Sequence, residues 1–376
     1  MSLAYIHLHF FVSFSDSFIH SFLTHIHYFV ISSYICTRFR FSQRREEVCL
    51  VFGIFRINIV RIFSPYRVHF ISSIGYQITE YNNHLSLLIV SFSNCEIMGN
   101  RKSVESSSSK IIFQTMVMSD MHLEIENRVI PEFPAAAPNL ILAGDIGRPD
   151  IPSLQKFLLD QCERFEHIFY VAGNHCFYEG KYEERLEQLE QLNNLHPHIH
   201  FLHNQSYLLP NKVRILGTTL WSYVPPEKAK EIGRCLNDYH QISTLVDGQT
   251  PRRITIEDTN KWHEQQHSWL VEQIQKSREN GEHVVVITHH APSRRDTCSK
   301  EDEESGLTDA WVNDHDDDCV DPVRLWFYGH THLSTDLKIN STRVISNQLG
   351  YPWEKCGFRP NMKVNLHEDG TVTIID

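Results

Sequence analysis

Residues 111–122, IIFQTMVMSDMH, decide the fold of this chain. The first eight are almost continuously apolar, and the run stops at Ser119-Asp120. A run this short, without the alternation of a half-exposed strand, reads as a strand buried on both faces. The arrangement recurs along the chain. Residues 140–143 end at Gly144-Asp145, 167–172 at Gly173-Asn174-His175, 284–287 at Thr288-His289-His290, and 325–328 at Gly329-His330-Thr331-His332. Strands of this kind build an α/β sheet, where ligands bind beyond the carboxyl ends of the strands. The Asp, Asn and His side chains would then gather on one rim. They offer oxygen and imidazole nitrogen without thiolate, which suits Mn, Fe or Zn better than a Cys-rich structural zinc site.

The order of D-x-H, GD, GNH, a His-containing strand end and GH-x-H resembles that of the calcineurin-like metallophosphoesterases, from about residue 110 to 351. Carried over position by position, the resemblance implies one divalent metal on Asp120, His122 and His332. It implies a second on Asn174, His289 and His330, with the Asp145 carboxylate bridging the two. No ligand position is missing. The resemblance also implies a four-layer α/β/β/α sandwich, and hydrolysis of phosphomonoesters or phosphodiesters by in-line attack of a hydroxide shared by two metals. His175 corresponds to the general acid, an imidazole that can hold a proton near neutral pH and give it to a departing alkoxide. Arg148 and His290 are candidate substrate contacts; helix entry or surface exposure is the rival role for both, and His290 also stands where it could orient the ligand beside it.

Two alternatives bear on function. The family's protein phosphatases read GD-x-VDRG and GNHE, whereas this chain has Gly144-Asp145-Ile146-Gly147-Arg148 and Gly173-Asn174-His175-Cys176. Some relatives use the fold as a non-catalytic protein-interaction module after losing ligands, but here all are present. The formal charge is −11 and no basic stripe is visible, so a nucleic-acid partner is not expected. Residues 301–321 carry Asp or Glu at 301–304, 309, 314, 316–318 and 321, with no Lys or Arg, and read as a solvated loop that would repel a polyanion. What remains as partner is a small phosphorylated molecule.

The first quarter is compositionally foreign to the rest. Residues 1–97 hold 13 of the 22 Phe, many Ile, Ser, His and Tyr, and no Lys. That is the composition of translated T-rich noncoding sequence, so Met98 is expected to be the true start. Residues 1–97 are expected to be unfolded, and 98–376 to form the phosphoesterase domain. No uncharged apolar run is long enough to span a membrane. Nine cysteines without a C-x-x-C pair point to a reducing compartment, hence the cytoplasm. Cys176, next to His175, is expected to be a packing residue.

Elsewhere, residues 151–165, 182–195 and 254–278 have helical spacing of apolar positions, with Trp262 and Trp269 expected in the core. Residues 213–222 read as the strand that opens a second sheet, and 342–346 and 372–375 as late strands. Asn237-Asp238-Tyr239 and residues 347–351 (NQLGY) line the pocket rim or are turns; the sequence leaves both open.

Overall fold

A computed structural model describes residues 109–376 in full, together with four strands before them. The chain divides into two compact units, Met1–Glu105 and Ser106–Asp376. In the first, Val12–Ser13 pairs antiparallel with Cys49–Leu50, and Phe70–Tyr81 with Leu85–Cys95. The expectation for residues 1–97 otherwise lies outside the described residues.

In the second unit the strands are β1 (Ile111–Met118), β2 (Asn139–Ala143), β3 (His167–Val171), β4 (Ile199–Phe201), β5 (Gln205–Leu209) and β6 (Val213–Gly217). They continue with β7 (His283–Ile287), β8 (Val323–Tyr328), β9 (Asp336–Ile339), β10 (Thr342–Ser346), β11 (Lys363–His367) and β12 (Val372–Ile375). One six-stranded sheet has the order β12-β11-β1-β2-β3-β4, the other β5-β6-β7-β8-β10-β9. In each sheet the central strands run parallel, β1 to β4 in one and β6, β7, β8 and β10 in the other. Parallel neighbours put their carboxyl ends on the same edge, so the five polar motifs share a rim.

The continuous apolar runs follow from burial on both faces. From β1, Phe113 and Val117 enter the core between the sheets, while Met116 and Met118 enter the layer outside. From β7, Val285 and Ile287 face inward, and Val284 and Val286 face out. Each such side chain contributes roughly 1.5–3 kcal/mol on burial. The outer layers are helical. Helix α1 (Pro152–Cys162) covers the first sheet with Leu154 and Leu158, beside α2 (Tyr182–Gln191) with Leu189. Pro152 sits in the first turn of α1, where its missing N–H costs nothing. Helix α3 (Ile256–Glu279) covers the second sheet with Leu270 and Ile274, and starts at a capping box of Thr255 and Asp258. The result is the expected α/β/β/α sandwich. Trp262 and Trp269 are partly buried against the core, as expected.

Two expectations need correcting, and one strand was not foreseen. The second sheet opens not with Val213 but with β5, an edge strand whose QSYLL sequence is mostly exposed and so lacks an apolar run. The strand β11 was hidden because its KVNLH sequence mixes polar with apolar residues. Residues 301–321 are not loop throughout: Lys300–Glu304 is a short helix, and Thr308–Ala310 and Asp316–Asp318 are 3₁₀ turns. Asp309 pairs with Arg294, and Asp316 with Arg295 at 2.6 Å, so part of the negative charge is neutralised locally.

We propose that the second unit is self-sufficient. A chain starting at Met98 should fold and turn over as well as the full one. Insolubility or inactivity of that shorter chain, with the full chain active, would make the first unit structural.

Candidate metal centre

The ends of β1, β2, β7 and β8, with the 3₁₀ turn Asn174–Phe177 after β3, bring the seven expected ligands together. The backbone is left-handed at Asp120 (φ 55°), His122 (51°), Asp145 (51°), His330 (73°) and His332 (50°). Non-glycine residues enter that region at a cost of order 1–3 kcal/mol each, and the concentration of such outliers at one rim marks a functional site. The glycines before the ligands make room for side chains. A Cβ on Gly173 would stand 2.1 Å from Asp145 Oδ1, and one on Gly144, itself at φ +88°, would stand 2.2 Å from His289 Nδ1.

Two donor clusters result. In the first, Asp120, His122 and His332 present ligand atoms within 4.8 Å of one another; in the second, Asp145, His289 and His330 do so. His122 Nδ1 is bonded to Glu124 Oε1 at 2.9 Å, and His332 Nδ1 to Glu354 Oε2 at 2.5 Å. Carboxylates accept, so both Nδ1 atoms carry hydrogen. The two Nε2 atoms then face each other at 3.2 Å, lone pair against lone pair when the rings are neutral. A cation held by both removes that conflict. In the second cluster His289 Nδ1 donates to Ala143 O at 3.0 Å, which frees Nε2. That atom lies 3.0 Å from Asn174 Oδ1 and 3.3 Å from Asp145 Oδ2. His330 Nε2 is buried without a hydrogen-bond partner.

Charge gives an independent test of fit. Asp120 and Asp145 are 0% and 2% exposed, and among the described residues neither is ion-paired with Lys or Arg. Burial alone would neutralise them, yet neighbouring imidazoles hold both carboxyls below the usual range. Imidazoles can ligate only when neutral, and with them neutral the two buried carboxylates would be balanced by a bound cation. The donor set and the charge therefore fit divalent metal.

His175 stands beside both clusters. Its backbone N–H donates to Asp145 Oδ1 at 3.0 Å, and its ring stacks on Tyr178 with centroids 4.1 Å apart. Nδ1 lies 3.1 Å from Glu124 Oε1 and Nε2 lies 3.2 Å from the Tyr351 hydroxyl. Burial pulls the His175 pKa down, but Asp145 and Glu124 outweigh it and the net shift is upward. Glu124 itself is opposed by burial but held down to about 2 by hydrogen bonds from His122 and His175.

The remaining candidates are placed differently. Arg148 is bonded to Asp150 at 2.8 Å and to Glu179, so its guanidinium is already committed at the rim. His290 is 1% exposed, with its ring 4.2 Å from that of His330 and 5.3 Å from that of Trp221. Cys176 is fully buried, with Sγ 3.1 Å from the Tyr170 hydroxyl, and burial pushes its thiol pKa far up. It packs.

Both segments left open by the sequence reach the site. Asp238 Oδ1 accepts from Asn174 Nδ2 at 2.8 Å and from the Tyr178 hydroxyl at 2.6 Å, which turns the Asn174 oxygen toward His289. Tyr351 touches His175 and lies against His122, centroids 4.6 Å apart. Glu124, Tyr178 and Glu354 were missed. Glu124 had a signal, since it continues the every-second-residue spacing of Asp120 and His122. Glu354 had none: it lies in a loop, and only folding brings it to His332.

Residues 113–334 match the calcineurin-like phosphoesterase family. The chain is also 31% identical over 240 residues to the uncharacterized protein L509 of Acanthamoeba polyphaga mimivirus, covering 61% of this chain and 84% of that one. Among solved structures it is similar to the phosphopantetheinyl hydrolase PptH of Mycobacterium tuberculosis, at 14% identity and TM-score 0.47 over 64% of this chain and 90% of that one. A dimetal phosphatase from Danio rerio is similar at 14% identity and TM-score 0.41, over 69% and 94%. The chain belongs to the calcineurin-like phosphoesterase family. It is a metal-dependent phosphoesterase. Among the described residues no helix is long and apolar enough to cross a membrane.

Proposed function

We propose that this enzyme hydrolyses small phosphomonoesters or phosphodiesters at a centre of two divalent cations. The observation that carries the reading is the pair of buried donor clusters set side by side, with Asp145 in the second and hydrogen-bonded toward His175. Asp120, His122 and His332 would hold one cation, Asn174, His289 and His330 the other, and Asp145 both. Bound there, cations of the Mn, Fe or Zn class would polarise phosphoryl oxygens and supply deprotonated water for in-line attack.

The chain's own residues do the rest. Glu124 holds His175 at Nδ1, so the proton to be transferred sits at Nε2, beside the Tyr351 hydroxyl. Raised basicity keeps that proton in place until an alkoxide departs. Tyr178 fixes the ring plane from one side. Asp238 prevents the Asn174 amide from turning its NH₂ toward the cations. We assign His290 to packing behind His330, and Arg148 to ordering the rim with Asp150 and Glu179, rather than to substrate contact.

One feature of the mouth favours a substrate with a planar group. Trp353 is 75% exposed and stacks on Tyr351, centroids 5.1 Å apart. A large apolar ring left in water, stacked on the tyrosine that touches His175, supports stacking of an aromatic leaving group such as a nucleobase or aryl ester. With Mn present, turnover of nitrophenyl phosphate and of its diester should be measured beside nucleoside and glycerol phosphates. Trp353→Ala should raise KM for the aromatic substrates and leave glycerol phosphate unchanged. Equal effects on both would remove the stacking role, and failure to hydrolyse any ester would remove the proposed activity. The six free cysteines among the described residues support a reducing compartment, and we place the enzyme in the cytoplasm.

A further inference from the structure

A second group of imidazoles lies away from the phosphoesterase centre, between helix α3 and the acidic segment. His263 and His267 are four residues apart on α3 and so share one face of the helix. His315 comes up against them from the segment that precedes the Asp316–Asp318 turn. Ligand atoms of the three lie within 4.8 Å of one another. The ring centroids of His263 and His315 are 5.2 Å apart, and those of His267 and His315 3.9 Å apart.

Hydrogen bonding prepares each ring for a cation. His263 is 6% exposed, and its Nδ1 donates to Trp221 O at 2.6 Å, which leaves the Nε2 lone pair free. His267 Nε2 is bonded to Asp318 Oδ2 at 2.7 Å, so a carboxylate stands behind that imidazole and leaves Nδ1 unprotonated. A ring nitrogen backed by a carboxylate is the usual outer-shell arrangement of a metal-bound histidine. His315 Nε2 is buried with no hydrogen-bond partner. Three packed imidazoles with one buried orphan nitrogen form a poor structural cluster and a good ligand set.

We infer that His263, His267 and His315 form a separate divalent-metal site of the zinc class, with Asp318 orienting His267. Three imidazoles and an open fourth position suit zinc, and the absence of a direct carboxylate ligand disfavours Mg or Ca. The rings of His267 and His315 stack 12° from parallel, so one of them would have to turn edge-on for both to share an ion.

The site would clamp the acidic segment to α3. That segment is tied close to the catalytic ligands: Asn313 N–H donates to Ala291 O at 2.9 Å and His315 N–H to Pro292 O at 2.8 Å, directly after His289 and His290. The cluster therefore fastens the chain leaving the catalytic rim without contributing a group to it.

The test is zinc content per chain after loading and gel filtration, in the full-length enzyme and in His267→Ala and His315→Ala. Each variant should hold one equivalent fewer than the parent, and its Mn-supported turnover of nitrophenyl phosphate should be unchanged. Zinc affinity at the site should fall by more than the 10- to 100-fold that loss of an outer-shell partner costs. Equal zinc content in parent and variants overturns the site. Should the variants not fold, anomalous density at the zinc edge in crystals of the parent decides: a peak among the three rings supports it, and its absence there overturns it.

Discussion

Asp145→Asn is expected to lower turnover by at least about 10³-fold, with the fold intact by circular dichroism. The substitution is nearly isosteric, and the space left by Gly173 still accommodates the side chain. What changes is charge: one of the two buried carboxylates among the proposed ligands disappears, and with it the group we propose to be shared by both cations. Polarisation by metal is worth several kcal/mol of transition-state stabilisation, and each 1.4 kcal/mol is tenfold in rate. Bound Mn should fall below two per chain at the catalytic rim. Turnover and metal content both at the parent's level would remove Asp145 from the centre.

The second large effect is expected at His175. Replacement by Ala should leave metal content unchanged and lower turnover by about 10²–10⁴, the range for proton transfer by a positioned side chain. The loss should be greater for alkyl esters, whose alkoxide needs the proton, than for nitrophenyl esters, whose leaving group scarcely does. Equal damage to both would make His175 a phosphate-binding residue. Loss of metal would make it a ligand. Glu124→Gln should reproduce the His175 pattern in weaker form, because the Gln amide can orient the ring but does not favour its charged state.

Much of this site was legible because strand burial and ligand chemistry leave local marks. The run IIFQTMVM ends at Asp120 because the chain passes there from a doubly covered sheet to its rim. Gly144 and Gly173 stand where a Cβ would run into the side chains of His289 and Asp145, contacts that only the folded chain makes. The outer shell was harder. Asp238 and Tyr351 stood in segments whose role the sequence left undecided, since whether a short polar segment is a turn or a rim depends on distant strands. Glu354 reaches His332 across an irregular loop, with no periodicity to announce it. The edge strand β5 failed for a related reason: half-exposed strands carry no continuous apolar run. The histidine group on α3 was passed over because Trp262 and Trp269 explained that helix's spacing without it, and His315 lies 48 residues beyond His267 in the chain.

The central claim is a paired-cation centre organised around Asp145. Anomalous diffraction at the Mn edge from crystals of the Mn-loaded enzyme tests it most directly. The expected result is two peaks at the catalytic rim, one among Asp120, His122 and His332, the other among Asn174, His289 and His330, with Asp145 between them. A single peak there in fully loaded, active crystals, or none, would contradict it.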